Sequence, residues 1–358
     1  MRTIKEPYHL FADPMRYFNS MIDDIDAATD YIFIETYRFG NDGIGTKFKD
    51  LLIKKAKQGV EIKILVDYWG SSGVYNGFFN ELKSKGGEVR FFEKIKFNTD
   101  VFTRSHKRNH RKLIIIDDEI TYVGSSNITE YNINWRESVL RLKGPIALTF
   151  KKVFNQDFRL YNKYIFYKSN YLRLLRHVDF EIVRDMPSIT KQRIMRRFLL
   201  LIRKAQKCIY IVTPYFLPGF MIRKELMEAA RRGVDVNIII PKRSDVGLVD
   251  VLRNKYSGQL YLSGINIKLY VPHNLHAKLF LVDDEVFVLG SPNFDYRSFR
   301  YMYEIVIQGR DKDIIQQINE FIRVTIESTE NFNYEYWKRR PLINKFFEWI
   351  LLPVRHLL

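Results

Sequence analysis

Apolar positions along this chain switch between a helical and an extended period, and they do so in one order that then recurs. MRYFNSMIDDIDAATDYIFIETYRF (15–39) predicts a helix and then a strand, and MRRFLLLIRKAQKCIYIVTPYFLP (195–218) repeats that grammar. LLIKKAKQGVEIKILVD (51–67) and LMEAARRGVDVNIIIP (226–241) each read as a helix closed by glycine and followed by a strand, with Gly59 and Gly233 at the left-handed C-cap. KSKGGEVRFF (83–92) and LSGINIKLY (262–270) add a glycine-led strand to each half. Next come NHRKLIIIDDE (109–119) and LHAKLFLVDDE (275–285), and after them VGSSN (123–127) and LGSPN (289–293). His276 follows His110, and Gly290 follows Gly124, by the same 166 positions (276 − 110 and 290 − 124).

Alternating helices and strands in two copies predict a duplicated α/β fold. The stretch 145–190 starts as an amphipathic helix and turns dense in Tyr, Phe, Lys and Arg, which sets a boundary near 170. The expected units are 1–170, 171–330 and a C-terminal basic-aromatic segment, 331–358, that belongs to neither repeat.

In an extended chain, residues i and i+2 share a face, so His110 and Lys112 project together with Arg111 turned away. His276 and Lys278 do the same around Ala277. LIII and LFLV read as strands buried on both faces, ending at Asp117 and Asp283. The glycines of GSSN and GSPN are expected in tight turns, with Ser125, Asn127, Ser291 and Asn293 as hydrogen-bond donors. Two basic–imidazole pairs suit a phosphodiester: ammonium groups and amides hold the oxygens, one imidazole attacks phosphorus and the other protonates the leaving alkoxide. Each imidazole needs an acceptor for its far nitrogen. Glu137 lies 27 residues after His110 and Glu304 lies 28 after His276. The two aspartates complete the repeated motif, but their position suits strand-end anchors better than contact with substrate. Each half supplies one aligned His beside a Lys, which is a poor metal ligand, so the expected site contains no metal and needs no cofactor.

Composition narrows the partners. Lys and Arg number 58 against 41 Asp and Glu, a formal charge of +17, which favours a polyanion, either nucleic acid or an anionic membrane. A single cysteine excludes an internal disulfide framework. No window holds the roughly 18 uninterrupted apolar residues of a spanning helix.

HxKxxxxD followed by GSxN, present twice, resembles the phospholipase D superfamily, and within it bacterial cardiolipin synthases. FIETYRFGNDGIG, TPYFLPG, HAKLFLVDDEVFVLGSPNFDYRSF and the closing WKRRPLINKFFEWILLPVRHLL carry the resemblance further along the chain. It implies two α-β-α sandwich domains related by a pseudo-twofold axis around one shared site, in a compact subtype without N-terminal transmembrane segments. It implies His110 as nucleophile forming a phosphohistidine and His276 as general acid, then base. Lys112, Lys278, Asn127 and Asn293 would hold the phosphate, and Glu137 and Glu304 would orient the imidazoles. The implied reaction condenses two phosphatidylglycerols to cardiolipin and glycerol. A phospholipase D-type hydrolase or transphosphatidylase, or a metal-independent nuclease, remains open as an alternative. Two motifs in one chain argue against the nuclease, and two intact motifs argue against a silent lipid-binding module. Met302 stands where the family commonly has Asn, which bears on the acceptor.

The segment from Trp337 gathers Phe346, Phe347, Trp349, Ile350, Leu351 and Leu352 beside Lys338, Arg339, Arg340 and Lys345. Aromatic anchors among basic residues suit a helix lying in a bilayer interface. The basic run Lys94, Lys96, Arg104, Lys107 and Arg108 offers a second contact with anionic headgroups. The expected setting is peripheral, on the cytoplasmic face of a bacterial cell membrane.

Overall fold

The computed structural model describes residues 7–75, 77–92, 107–161 and 168–355. The first half builds a sheet from β1 (Tyr8–Phe11), β2 (Tyr31–Thr36), β3 (Glu61–Asp67), β4 (Glu88–Phe92), β6 (Leu113–Ile116), β7 (Ile120–Gly124) and β8 (Val139–Lys143), while β5 (Arg108–Asn109) leaves it. The second half supplies β9 (Leu175–His177), β10 (Phe180–Asp185), β11 (Cys208–Val212), β13 (Asp235–Pro241), β14 (Asn266–Tyr270), β15 (Leu279–Val282), β16 (Val286–Gly290), β18 (Met302–Gly309) and β19 (Thr329–Asn331). A short ribbon pairs β12 (Phe216–Leu217) with β17 (Phe294–Asp295).

The two sheets are wired alike. The first runs β1-β8-β7-β6-β2-β3-β4, and the second contains β10-β18-β16-β15-β11-β13-β14. Each step has the same sense in both: four antiparallel pairings and then two parallel ones. The duplication read from the sequence is therefore a duplication of topology, with β9 and β19 as extra edges on the second sheet.

The principal helices are α1 (Pro14–Ala27), α2 (Gly43–Lys57), α3 (Ile146–Leu160), α4 (Arg193–Lys204), α5 (Phe220–Arg231), α6 (Gly247–Leu262), α7 (Lys312–Glu327) and α8 (Leu342–Ile350). Asp13 and Asp42 cap α1 and α2 through backbone N–H groups of Arg16 and Gly45. Gly59 (φ 90°) and Gly233 (φ 88°) adopt the left-handed conformation that ends α2 and α5, as expected. Tyr17, Phe48, Leu52 and Ile64 belong to the core between α1, α2 and the outer face of the first sheet. Phe198, Leu226, Ile238 and Phe280 belong to its counterpart on the second sheet. Between the sheets, Phe33, Leu113, Phe150, Leu279, Ile305 and Ile318 share one core with α3 and α7. Each sheet is thus covered on both faces, and a single apolar layer joins the halves. Among the described residues, no helix is long and apolar enough to cross a membrane.

The segments that carry the motifs depart from simple strands. Residues 110–112 and 276–278 are extended but outside any strand, and the buried runs begin at Leu113 and Leu279. Just before them the chain crosses to the opposite half. β5 pairs in parallel with Met302–Tyr303 of β18, and His110 N donates to Tyr303 O at 3.0 Å. In the mirror arrangement, Arg136 N donates to Asn274 O at 2.9 Å and His276 N donates to Arg136 O at 2.8 Å. Each motif histidine is therefore pinned, by its own backbone, to the residue that precedes the other half's glutamate.

Candidate active site

That backbone crossing decides which carboxylate meets which imidazole. His110 Nδ1 lies 3.0 Å from Glu304 Oε1, and His276 Nδ1 lies 3.0 Å from both oxygens of Glu137. The sequence spacing suggested pairing within each half; the pairs are crossed between halves. Each glutamate is fully buried and is buttressed by the serine of the GSxN string of its own half, Ser125 for Glu137 and Ser291 for Glu304. A carboxylate at Nδ1 fixes the tautomer, leaving Nε2 of each ring as the reactive nitrogen.

The glycines of GSSN and GSPN do not make turns. Gly124 and Gly290 end β7 and β16, where an added Cβ would lie 2.2 Å from Ser138 O and Ile305 O of the neighbouring strand. Close backbone approach is what requires them, and it brings the following serine onto the carboxylate.

Both imidazoles open on one cavity of about 250 Å³, lined also by Asn127, Asn293, Tyr37, Trp135, Asp245 and Arg297. Asn127 turns its amide oxygen to Arg38 N at 3.2 Å. Tyr37 packs edge-on against His110, ring centroids 5.4 Å apart, and Trp135 lies tilted against His276 at 5.1 Å. Lys112 Nζ donates to His110 O at 2.6 Å and Lys278 Nζ to His276 O at 2.8 Å. The lysines differ in one contact. Lys278 Nζ also lies 3.0 Å from His276 Nε2, whereas Nε2 of His110 has no hydrogen-bond partner among the described residues.

Electrostatics separate the two dyads further. Burial, with Lys112 and Lys278 nearby, holds His110 well below its ordinary value, so the ring is neutral at pH 7. Burial lowers His276 as well, but Glu137 opposes it. Burial pushes Glu137 up, yet the charge and hydrogen bond of His276, with Lys278 and Ser125, outweigh it and hold this carboxyl below its usual range. Glu304 goes the other way, pushed up to about 7 by burial against the pull of Lys112. Burial and the second ammonium lower Lys112 to about 7, and burial lowers Lys278 to about 8 despite Glu137. Two crowded lysines, each held on the carbonyl oxygen of its motif histidine, supply cationic nitrogens beside the imidazoles that an oxyanion there would favour.

Asp117 and Asp283, counted with the catalytic residues from the motif, lie outside this cavity. Each sits at the far end of its buried strand with φ of 51° and 57°. Asp117 accepts from the backbone N–H groups of Thr29, Asp30 and Tyr31, and Asp283 from those of Gln206, Lys207 and Cys208. They tie the hairpin to the start of β2 and β11. Arg108, assigned to a headgroup-binding run, is fully buried against Asp67, and Lys94, Lys96 and Arg104 fall outside the described residues. Tyr37, Trp135, Tyr215 and Asp245 were missed as lining residues. Tyr37 and Tyr215 had a signal, since both halves place Tyr just after the second element (ETYRF and TPYFLP).

A larger groove of about 750 Å³ runs between β1 and α7, past Arg136 and His9, and contains neither motif histidine nor motif lysine. Among the described residues, no three His, Cys, Asp or Glu side chains gather as a metal site.

Residues 21–159 and 198–325 match the family described as cardiolipin synthase, PLD-like domain. The chain belongs to this family. Its relatives include a cardiolipin synthase of Listeria welshimeri, 32% identical over 95% of this chain and 73% of that protein. Cardiolipin synthase 1 of Staphylococcus epidermidis is 33% identical over 95% of this chain and 71% of its own length. In three dimensions the chain is similar to phosphatidylserine synthase of Haemophilus influenzae, with a TM-score of 0.79 at 14% identity over 99% of this chain and 96% of that one. Polyphosphate kinase of Porphyromonas gingivalis matches at a TM-score of 0.64 and 11% identity, over 98% of this chain and 53% of that one. At such identities these two show the fold alone. The phospholipase D fold, duplicated within one chain, is what this cardiolipin synthase-family protein shares with them.

Proposed function

We propose that the protein is a phosphatidyltransferase of cardiolipin synthase type that joins two phosphatidylglycerols through a phosphohistidine. The crossed pair of imidazole–carboxylate dyads opening on one cavity, with a lysine bonded to the carbonyl of each motif histidine, carries this reading. Neutral His110, its Nε2 unengaged, is suited to attack phosphorus. As the N–P bond forms, the P–O bond to the headgroup glycerol breaks, and His276 passes a proton from Nε2 to the departing oxygen. The ionised Glu137 beside His276 favours the imidazolium that this step requires. In the second half-reaction the glycerol hydroxyl of another phosphatidylglycerol gives its proton to His276 and attacks phosphorus. The N–P bond breaks, and cardiolipin leaves. Lys112, Lys278, Asn127 and Asn293 neutralise and orient the non-bridging oxygens throughout. Their lowered lysine pKa values rise again when the anionic phosphate arrives.

The identity of the relatives over nearly the whole chain supports the substrate, and the net charge of +17 supports an anionic lipid surface. We place the enzyme peripherally on the cytoplasmic face of a bacterial membrane. The matching strand orders support dividing the chain into 1–170, 171–330 and a C-terminal segment from 331.

The test is to incubate the purified protein with phosphatidylglycerol vesicles and measure cardiolipin and free glycerol. Equal yields of the two are expected. A labelled phosphatidyl group should be trapped on the protein and be absent from His110→Ala. Phosphatidic acid as the main product would mean hydrolysis instead, and label retained in His110→Ala would overturn the nucleophile.

A further inference from the structure

Helix α8 faces the wrong way for a helix docked by apolar packing. Leu342, Ile343, Phe346, Phe347, Trp349 and Ile350 are between 48% and 80% exposed, while its one buried residue is Glu348. Glu348 is held by Arg340 through two hydrogen bonds, Nε to Oε1 at 2.6 Å and a terminal nitrogen to Oε2 at 2.8 Å. Arg340 itself lies over the Trp337 ring at 4.0 Å. A charged clamp thus fixes the inner side of the helix and turns its apolar side outward. Water is a poor partner for such a surface.

The face continues beyond α8. Leu351 and Leu352 pack on Leu217, Val249 and Leu252, in a cluster that includes Tyr215 and Val246. Tyr215, Val246 and Val249 also line the imidazole cavity. Arg355 covers the Tyr296 ring at 5.7 Å, and Tyr296 touches Gly219, next to exposed Phe220 and Met221 at the start of α5. Exposed Leu248 stands at the start of α6, beside Val249. The apolar face therefore reaches to within one layer of side chains of the cavity.

We infer that α8 and the leading turns of α5 and α6 form a single bilayer-docking face beside the mouth of the headgroup cavity. Its occupant is the surface of an anionic lipid bilayer. Lys338, Arg339 and Lys345 are exposed around Trp349 and Phe346, the mixture of cations and aromatic rings that partitions into a headgroup layer. Two copies of a chain carrying +17 repel one another, whereas an anionic surface attracts each. The cavity, at about 250 Å³, takes a headgroup and leaves acyl chains outside, next to this face. Docking here would present lipid to His110 and His276 without removing its chains from the bilayer; that the cavity takes a headgroup, and this presentation, rest on the function proposed above.

The experiment compares the full chain with Phe346→Ser/Trp349→Ser in sedimentation with vesicles of mixed phosphatidylglycerol and phosphatidylcholine. Loss of the two rings should weaken vesicle binding at least about tenfold. Melting temperature and turnover of a monomerically dispersed short-chain phosphatidylglycerol should stay unchanged. Leu342→Ser/Ile343→Ser, on the same outward side, provides a second variant should the first fail to fold. Unchanged vesicle binding by a folded variant overturns the inference. So does a parent dimer that the substitutions convert to monomer without loss of vesicle binding, which would assign the face to a second copy. If no lipid is turned over but vesicle binding falls as stated, the transferase reading fails and the docking face stands.

Discussion

Glu137, from the first half of the chain, lies 3.0 Å from Nδ1 of His276, from the second, and Glu304 stands in the same relation to His110. Neither half can orient its own imidazole. A separated half would retain a motif but not a dyad, which gives a physical reason for the duplication to be held in one chain with a shared core.

The two glutamates should fail differently when changed. Glu137→Gln removes the charge that favours imidazolium at His276, so kcat should fall about 100-fold with phosphatidylglycerol. A phosphatidyl ester of a nitrophenol, whose leaving group needs no proton, should recover most of the first half-reaction. Glu304→Gln should slow both substrates alike, since His110 must attack in either case. Stopped-flow release of nitrophenol against steady-state glycerol release measures the difference. Equal recovery in both variants would reverse the assigned roles.

His276 must carry a proton in the first step and its pKa is lowered by burial, so its deprotonation begins the alkaline decline of the pH profile, and the lysines extend it. A lysine is charged below its pKa and neutral above it, and the values here are lowered to about 7 for Lys112 and about 8 for Lys278. The plot of kcat/KM should therefore decline further as pH rises through 7 to 8. At saturating substrate the limb in kcat should move to higher pH, because the bound phosphate favours the ammonium forms. On the acid side His110 is held well below 6.5, so loss of the neutral nucleophile should begin well below that pH. A kcat/KM profile still flat at pH 9 would contradict the uncharged lysines of the free enzyme.

Much of this was legible in the sequence, because a duplicated fold writes its topology as repeated spacing. His110, Lys112, Asn127, His276, Lys278 and Asn293 lie at matching offsets, and one cavity gathers the imidazoles and amides. Partner exchange was not legible. It depends on β5 leaving its own sheet for Met302–Tyr303, a two-residue pairing with no periodic signature. Trp135 and Asp245 come from loops that differ between the two halves, so no offset marks them. The outward face of α8 was half legible. Its aromatic and basic content was visible, but the Glu348–Arg340 clamp that orients it is a tertiary contact.

Asp117 should matter for stability and not for turnover. Its carboxylate accepts three backbone N–H groups, and its φ of 51° lies where Asp and Asn are tolerated better than other residues. Asp117→Ala loses the acceptor and adds backbone strain, at a cost of about 1–3 kcal/mol. Asp117→Asn keeps one acceptor oxygen and the conformation, and should cost less. Calorimetry should order the melting temperatures as parent, Asn, Ala, with kcat within about twofold across the series. A 100-fold loss of kcat in a variant that melts with the parent would return Asp117 to the chemistry.

Arg111, the residue between His110 and Lys112, has no counterpart in the second motif, where Ala277 stands. Its guanidinium is fully buried, donates to Asp157, Tyr171 and the carbonyl oxygens of Asp185 and Glu304, and so ties α3 to the strand that carries Glu304. Removing it leaves the buried Asp157 carboxylate with the Tyr171 hydroxyl but without its guanidinium partner. Arg111→Ala should therefore destabilise the fold by about 3–5 kcal/mol, the usual cost of breaking a buried pair on one side. Adding Asp157→Asn removes the orphaned charge and should recover part of that loss, so the two changes should be less than additive. Urea denaturation of the parent, both single variants and the double variant supplies the cycle. Strict additivity would show that Arg111 and Asp157 contribute independently.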